Sequence, residues 1–510
     1  MKKLKHKLTT PALLLSTFFL FSCSNSSKKT DMKIDISDNV INTITQGVGA
    51  SIHAIEEPVL IVDGISWGGS VWGANPDPDD DERWAKVFHH IKWIGLDWTR
   101  LELCQKMYNK EEGVYSWDNH EMRILYKYLD FFQENNIDVL LQQMWSDVQW
   151  MAYPRHRNDP MGILRSAPFD KEKFAEAFAT LLEHLIITKG YTCIKWTNFS
   201  NEPGESWSWW QSENDINVAE DITPTFAIVR KALDNKNINV PLLGPDWSYY
   251  YGLTADSFTA GEYVGGYDLH SYSAKFDWYK PEDTKHISSI SGITPQLKEW
   301  VDKARKENKS MFLTEYGTMI YGTRGDLSHM VASKDAILND AQLVIRLANL
   351  GFNGFNKWNF INRGDLDGQW QVIDTWDIKE NKLLPVDQIL PHENNYQSFA
   401  LLSRFLPRNS KVLHSEVSGG NDGQYQRVFC AAVKTPSEGY TILLTNDDDK
   451  PYTFMINGLP SSNKYYSYTL ENLNPVKITT KKGITIEPKQ LMVISSYCLT
   501  KEMPGLISED

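Results

Sequence analysis

Short apolar segments alternate with longer amphipathic segments from about residue 45 to residue 405. Such alternation is typical of βα units, in which helices join parallel strands and cover the sheet. Eight segments have the length and apolar character of buried strands: 47–52, 97–101, 139–144, 194–202, 241–245, 267–272, 310–315 and 354–359. Helical periodicity lies near residues 81–93, 121–134, 171–187 and 334–350. Eight strands with helices between them predict an α/β fold, a (β/α)8 TIM barrel.

After Arg408 the pattern changes to β-rich segments separated by turns that carry Gly, Asn, Asp and Pro. No helical period appears, so we predict a C-terminal antiparallel β-sandwich. Residues 32–36 alternate like a strand and are a candidate to join that sandwich. The expected units are a lipoprotein signal peptide at 1–22, a tether at 23–31, the barrel with an N-terminal strand at 32–407, and the β-sandwich at 408–500.

The first residues have the pattern of a bacterial targeting segment. Four lysines lie within residues 2–7, and the apolar stretch 11–21 that follows is too short to span a membrane. Residues 20–23, Leu-Phe-Ser-Cys, resemble a lipobox, which implies cleavage before Cys23 and lipidation of its thiol. We therefore expect a lipid anchor at the bacterial cell envelope. The alternative is an ordinary signal peptide with an incidental cysteine.

The overall charge and the remaining cysteines exclude several classes of partner. The formal net charge is −13 and no basic stripe appears, so we expect no nucleic-acid partner. The four cysteines after Cys23 do not have the spacing of a metal site, and we expect no metal or cofactor. Cys430 and Cys498 both fall in the C-terminal β region, where the sequence leaves a disulfide open.

Two acids follow apolar strand segments. Glu202 comes after Ile-Lys-Trp-Thr-Asn-Phe-Ser-Asn and is followed by Pro-Gly, while Glu315 ends Met-Phe-Leu-Thr and is followed by Tyr-Gly. In parallel barrels, the carboxyl ends of the strands carry the chemistry. Retaining glycoside hydrolysis needs two such acids: one protonates the leaving oxygen and the other attacks the anomeric carbon. Surface acids are far more common than catalytic ones, but these two share the same local setting.

The pair resembles the catalytic acids of clan A glycoside hydrolases, which are (β/α)8 barrels. The resemblance implies that Glu202, which follows Asn201 on the fourth strand, is the acid/base, and that Glu315 on the seventh strand is the nucleophile. A barrel coupled to a β side domain resembles families 30 and 39. Residues 46–51 look like the first strand of family 30, whereas Leu-Thr-Glu-Tyr-Gly is closer to families 39 or 5, so the family stays open.

Further side chains are candidates for substrate binding. Arg100 ends the second strand, and its expected role is to keep Glu315 ionised; the alternative is a salt bridge to the next helix. His270 and Tyr272 share one face of the sixth strand, and the resemblance implies a hydrogen bond from Tyr272 to the nucleophile. Asn201 could bind a sugar hydroxyl. Trp358 resembles the sugar platform of the clan, with a packed core tryptophan as the alternative.

Loop aromatics on the predicted active face are weaker candidates. Trp145 is assigned to substrate binding, and the others are Trp150, Trp207, Trp209, Trp210 and Trp247. Arg155 and Arg157 could pair with an acidic sugar or with acids of the protein itself.

The sequence thus predicts a retaining β-glycoside hydrolase that cleaves β-linked oligo- or polysaccharide. The alternative is a non-catalytic glycan-binding lipoprotein on a barrel scaffold. An acyl or phosphoryl hydrolase lacks support, since neither a Gly-x-Ser-x-Gly elbow nor a P-loop is present. The sugar, the linkage and exo or endo action stay open.

Overall fold

The computed structural model describes residues 30–56, 60–62, 65–67, 73–203, 210–213, 218–248, 254–274, 290–319, 334–361, 370–377, 380, 382–419 and 426–506. The expected signal peptide, Cys23 with its expected lipid, and nearly all of the expected tether lie outside these residues. Among the residues described, no helix has the length and apolar character needed to cross a bilayer.

Eight parallel strands form the barrel, as the sequence predicts. In chain order they are Gly47–His53, Trp98–Cys104, Asp138–Trp145, Ile194–Asn198, Leu243–Ser248, Gly266–Ala274, Ser310–Met319 and Gly354–Lys357. The first strand pairs with both the second and the eighth. A parallel bridge between Thr197 and Leu242 joins the fourth strand to the segment before the fifth and closes the ring.

Helices surround the strands and start at identifiable caps. The α-helices are Asp81–Ile94, Gln105–Tyr108, His120–Glu134, Pro160–Arg165, Lys171–Leu182, Val218–Asn235, Ile290–Lys306, Lys334–Leu350 and Asn395–Ser403. Asp80, Asn119 and Asp170 each accept a hydrogen bond from a backbone N–H of the first turn, which satisfies a donor that the helix leaves open. The helix predicted over 171–187 changes to a π-helix over Glu183–Thr188. Short 3₁₀ turns lie at Pro154–His156, Ala255–Ser257, Gly261–Tyr263 and Val386–Gln388.

Several strand ends differ from the sequence prediction, and two of them lie next to the predicted catalytic acids. The fourth strand ends at Asn198, four residues before Glu202. The side chain of Asn198 accepts hydrogen bonds from the backbone N–H groups of Phe199 and Ser200, which turns the chain out of the ladder. The seventh strand continues past Glu315 to Met319, because its pairing with the sixth strand extends that far.

The C-terminal region forms a nine-stranded, mostly antiparallel sheet. Its strands are Thr30–Ile44, Ser410–Ser418, Val428–Lys434, Tyr440–Asn446, Tyr452–Asn457, Tyr465–Thr469, Asn472–Ile478, Ile484–Ile486 and Gln490–Ser495. The N-terminal strand belongs to this sheet, where it pairs antiparallel with Ser410–Ser418 and parallel with Tyr452–Asn457. Three short pairs complete the strands of the described residues: Leu60–Val62 with Ile65–Trp67, Ile373–Asp374 with Leu390–Pro391, and Trp376–Asp377 with Lys382–Leu383.

The nine-stranded sheet is buried on both faces along its centre. Val428 and Cys430 point into a core of its own, which they share with residues from both ends of the sheet, such as Phe454 and Tyr465. Phe429 and the other alternate residues of that strand join the core of the barrel. The sheet therefore curls over one core and packs its other face against the barrel. All four described cysteines are free thiols, so Cys430 and Cys498 are not bonded.

Candidate active site

Glu202 and Glu315 come together in the mouth of the barrel. One carboxylate oxygen of each, and a ring nitrogen of His270, lie within 4.8 Å of one another. Glu202 is 8% exposed and Glu315 is 4% exposed. The two acids are thus buried side by side, although Glu202 follows the fourth strand and Glu315 lies on the seventh.

Glu202 is placed by an unusual stretch of backbone. It has a φ of 41°, in the left-handed region that side chains other than glycine seldom adopt. Its backbone N–H donates to the carbonyl oxygen of Asp246 at 3.1 Å, which ties it to the fifth strand. The preceding residue, Asn201, is buried, and its side-chain oxygen accepts a hydrogen bond from Arg100 Nη2 at 2.9 Å.

Three groups surround the carboxylate of Glu315. Arg100 Nη1 forms an ion pair with Oε1, and the hydroxyl of Tyr272 donates to Oε2 at 2.6 Å. His270 Nδ1 lies 3.4 Å from the same Oε2. The structure therefore brings Arg100, Tyr272 and His270 together around the predicted nucleophile.

Arg100 is itself held by other carboxylates. Its side chain is fully buried and contacts Glu102 and, at 3.4 Å, Asp246 Oδ2. Burial opposes the charged form, but these carboxylates and Glu315 outweigh it and raise the pKa of Arg100. Glu102 contacts His53 through its other oxygen. A continuous buried network thus connects Glu315 to the first strand.

His270 lies between the two glutamates. Its Nδ1 is 2.9 Å from Glu202 Oε1, and its Nε2 is 2.9 Å from Asp246 Oδ1. Burial alone would lower its pKa, yet the charges of Glu315 and Asp246 raise the pKa of His270 well above its ordinary value. Burial raises the pKa of Glu315 to about 7, against the opposing effects of His270 and Arg100.

Glu202, His270 and Glu315 are also close enough to share a metal ion. A metal-binding histidine must be neutral, with one nitrogen free for the metal. Both ring nitrogens of His270 face carboxylates instead, and Arg100 already contacts Glu315. The geometry fits an ion-pair cluster better than a metal centre.

The aromatic candidates divide into two groups. Trp358 is 5% exposed, its backbone N–H donates to the carbonyl oxygen of Tyr316, and its ring packs edge-on against His53 at 4.9 Å. Trp145 is 3% exposed at the end of the third strand. Trp370, which the sequence did not single out, packs on Tyr272 with ring centroids 5.2 Å apart.

Other tryptophans serve the core. Trp247 packs against Phe258 and Trp300, on the helix side of the fifth strand. Trp210 packs against Phe174 and Phe199 and donates to Asp221. The suggestion that these two contact glycan is therefore wrong. Trp207 and Trp209 lie outside the described residues.

The arginines after the third strand donate to backbone carbonyls of the loops after the third and fourth strands. Arg155 donates to Ser212 and Arg157 donates to Ala152. Their guanidinium groups therefore stabilise this loop region, and these contacts do not point to an acidic sugar.

Sequence reasoning missed Asp246 and Glu102. Asp246 follows the predicted end of the fifth strand by one residue, and Glu102 stands one residue past the predicted end of the second strand. The sequence did contain a signal for Glu102, which stands two residues after Arg100. A second strand that continued past residue 101 would place both side chains on the same face.

No protein-family model and no curated protein sequence matches the chain, but many solved structures do. The catalytic domain of the family 30 xylanase C from Talaromyces cellulolyticus is 11% identical with a TM-score of 0.61, over 91% of this chain and 99% of that chain. An α-L-arabinofuranosidase from Thermotoga maritima is 13% identical with a TM-score of 0.60, over 91% and 99%. An endo-β1,6-glucanase is 14% identical with a TM-score of 0.56, over 92% and 94%. The chain therefore shares its fold with these glycoside hydrolase structures.

Proposed function

We propose that this protein is a retaining glycoside hydrolase that cleaves a β-linked oligo- or polysaccharide. The observation that carries the proposal is the close approach of the Glu202 and Glu315 carboxylates, with oxygens within 4.8 Å. Retaining enzymes place their two carboxyl groups about 5–5.5 Å apart, whereas inverting enzymes leave room for a water at about 6.5–9.5 Å. Oxygens this close are compatible with the carboxyl separation of a retaining pair.

The surroundings support a distinct role for each acid. Arg100 and Tyr272 both donate hydrogen bonds to Glu315, and donors to a carboxylate favour its charged form. Glu315 would attack the anomeric carbon as the bond to the leaving oxygen breaks, and that oxygen would take the proton of Glu202. Water would then attack the anomeric carbon, return a proton to Glu202 and release Glu315.

The substrate is proposed only as a class. The similar structures are a xylanase, an arabinofuranosidase and an endo-glucanase by name, which supports a saccharide but not one sugar. Trp358 and Trp370 are the described aromatic rings best placed to stack on it, since pyranose C–H faces pack on indole.

The test compares Glu202→Ala and Glu315→Ala with a matched exposed control, Glu299→Ala. Glu315→Ala should abolish turnover on every substrate, since the covalent intermediate cannot form. Glu202→Ala should lose about 10²–10⁴-fold on substrates with poor leaving groups, and much less on activated aryl glycosides. Azide should rescue Glu202→Ala and give a glycosyl azide of retained configuration, read by proton NMR.

Three outcomes would contradict the proposal. An inverted product from the wild type would exclude the retaining mechanism. Equal losses on activated and unactivated substrates would remove the acid/base role of Glu202. Glycan binding without any turnover of a broad panel of β-linked oligosaccharides would favour the alternative, a non-catalytic binding protein.

We also propose that a lipid on Cys23 anchors the protein at the bacterial cell envelope. The support is the lipobox-like Leu-Phe-Ser-Cys after a basic and apolar leader. Cys23→Ala should move the protein from the membrane fraction to the soluble fraction, and the matched variant Cys498→Ala should not. Unchanged membrane partition of Cys23→Ala would refute this anchor.

A further inference from the structure

Asp246 contacts the residues that position both proposed catalytic acids. It is fully buried, and its side chain lies 2.9 Å from His270 Nε2 and 3.4 Å from Arg100 Nη2. Gln142 Nε2 donates to it at 3.0 Å. Its backbone carbonyl accepts the N–H of Glu202 at 3.1 Å. One residue of the fifth strand therefore touches the supports of both glutamates.

We propose that Asp246 is a positioning residue. Its carboxylate keeps a proton on His270 Nε2, so that His270 Nδ1 faces Glu202 and shares a proton with it. The inference rests on the proposed function, since it assigns Asp246 a part in the acid/base step. Nothing in the similarity to other structures assigns this role.

The orientation of the imidazole follows from the contact. With its Nε2–H donated to Asp246, the ring can place only Nδ1 between Glu202 and Glu315. A ring flipped by half a turn would put carbon atoms at both positions and lose every one of these hydrogen bonds. Asp246 thus selects one ring orientation and keeps the proton on Nε2.

The protonation follows from the charges that face the ring. Nδ1 and Glu202 share one proton, either as imidazolium with carboxylate or as neutral imidazole with carboxylic acid. The negative charge of Asp246 stabilises the protonated form of this pair, so the pair should lose its proton only at higher pH. Among the described residues, the other titratable or charged groups near the ring are Glu315 from the seventh strand, Arg100 and its partner Glu102 from the second, and Asp268 and Tyr272 from the strand of His270 itself.

The neighbours of Asp246 favour its charged form. Burial opposes ionisation, but His270 and Arg100 lower the pKa of Asp246. The nearby acid Asp268 behaves in the opposite way, because burial and the charge of Asp246 raise the pKa of Asp268 to about 8. Asp268 accepts the backbone N–H of Asp246 and a hydrogen bond from Asn198, so it supports Asp246 without contacting His270.

The first test measures the wild type alone. Nitrogen-15 NMR of histidine-labelled protein should identify the ring of His270 as the one whose signals are absent from the spectrum of His270→Gln. In the wild type, Nε2 of this ring should stay protonated from pH 5 to 9 while only Nδ1 titrates. A His270 ring that is protonated on Nδ1 and bare on Nε2 in its neutral form would overturn the inference. This measurement requires no variant of Asp246 to fold.

The second test uses Asp246→Asn, which keeps a hydrogen-bond acceptor and suits the positive φ of 60° at this position. The pKa of His270 should fall by about 1–3 units, and the alkaline limb of the kcat/KM profile should move down with it. Substrates with poor leaving groups should lose about 100-fold in kcat, and activated aryl glycosides much less. The matched control is Asp374→Asn, which removes the carboxylate from another Asp–His pair, at 2.9 Å from His392.

The outcomes separate this inference from the proposed function. An active wild type whose His270 titration and alkaline limb are unchanged in Asp246→Asn would refute the role of Asp246 alone. A uniform loss of activity at all pH values, with no shift of His270, would assign Asp246 a structural role only and also refute it. A wild type without hydrolysis would refute the proposed function, whatever the NMR titration shows. An equal shift of His270 in Asp374→Asn would show that the effect is not specific to Asp246.

Discussion

At the scale of single residues, Glu202 combines burial with a backbone conformation that is seldom adopted. A non-glycine residue in the left-handed region costs on the order of 1–3 kcal/mol, and such residues concentrate at functional sites. Here the conformation, with a φ of 41°, is held by the hydrogen bond to the carbonyl of Asp246. It lets the chain leave the fourth strand and still turn the carboxylate toward His270.

Among the contacts described above, Tyr272 is the one neutral hydrogen-bond donor to Glu315. Its removal should therefore change how activity depends on pH. Tyr272→Phe deletes a hydrogen bond of 2.6 Å to Oε2. A hydrogen bond to the charged form lowers a carboxyl pKa, so its loss should raise the pKa of Glu315 further above its ordinary value. The acid limb of kcat/KM, which requires ionised Glu315, should therefore move to higher pH.

The measurement is a kcat/KM profile on an activated aryl glycoside, with Tyr126→Phe as the control. Tyr126 is half-buried and donates to the carbonyl of Trp117, away from the barrel mouth. An acid limb at the same pH in Tyr272→Phe and the wild type would contradict the proposed contribution of Tyr272.

At the scale of elements, a buried ion pair attaches the eighth strand to the helix before it. Lys357 Nζ lies 2.6 Å from Asp340 Oδ2, and the two side chains are 2% and 9% exposed. Thr318 of the seventh strand donates to the other oxygen of Asp340 at 2.7 Å. Lysine is seldom buried to this degree unless it is paired, so this contact fixes the helix Lys334–Leu350 against two strands.

Asp340→Ala should destabilise the protein by about 3–5 kcal/mol, because it leaves the ammonium of Lys357 buried without its carboxylate. The double variant Asp340→Leu/Lys357→Met should lose much less, since it removes both charges together. Urea unfolding followed by circular dichroism provides the comparison. If the double variant is as unstable as Asp340→Ala, the uncompensated charge is not the cause.

At the scale of the whole molecule, the two ends of the described chain meet in one sheet. The strand Thr30–Ile44 lies between Ser410–Ser418 and Tyr452–Asn457. Its side chains Met32, Ile34 and Ile36 are buried in the core of the sheet. The N-terminal strand is therefore an internal part of the C-terminal sheet, although the barrel separates the two in sequence.

A chain that begins at residue 46 should consequently fold poorly. Removing the strand opens two sheet edges and exposes apolar side chains that are worth about 1.5–3 kcal/mol each when buried. Calorimetry should show a lower Tm, or the protein should aggregate, whereas a chain that begins at Thr30 should behave like the longer protein. Equal Tm values for the two chains would contradict this role of the strand.

The sequence alone predicted the barrel because strand and helix periodicities are local properties of the chain. The same logic predicted that Glu202 and Glu315 would follow strands whose carboxyl ends share one face, and that His270 and Tyr272 would share a side. These inferences need only the alternation of side chains and the topology of parallel βα units. Boundaries were less accurate, since side-chain hydrogen bonds such as those of Asn198 end a strand without any change in apolar character.

Only the tertiary structure decided which side chains meet. Asp246 and His53 join the site through pairing between strands that are distant in sequence, and no local pattern encodes that register. Trp210 and Trp247 look like cleft aromatics in the sequence, yet both rings pack in the core. For Trp247, the face that a residue presents near a strand end depends on where the strand stops. The protonation of the site also depends on the whole fold. The pKa values of Glu315 and His270 follow from burial and from neighbours that the fold alone brings within a few ångströms.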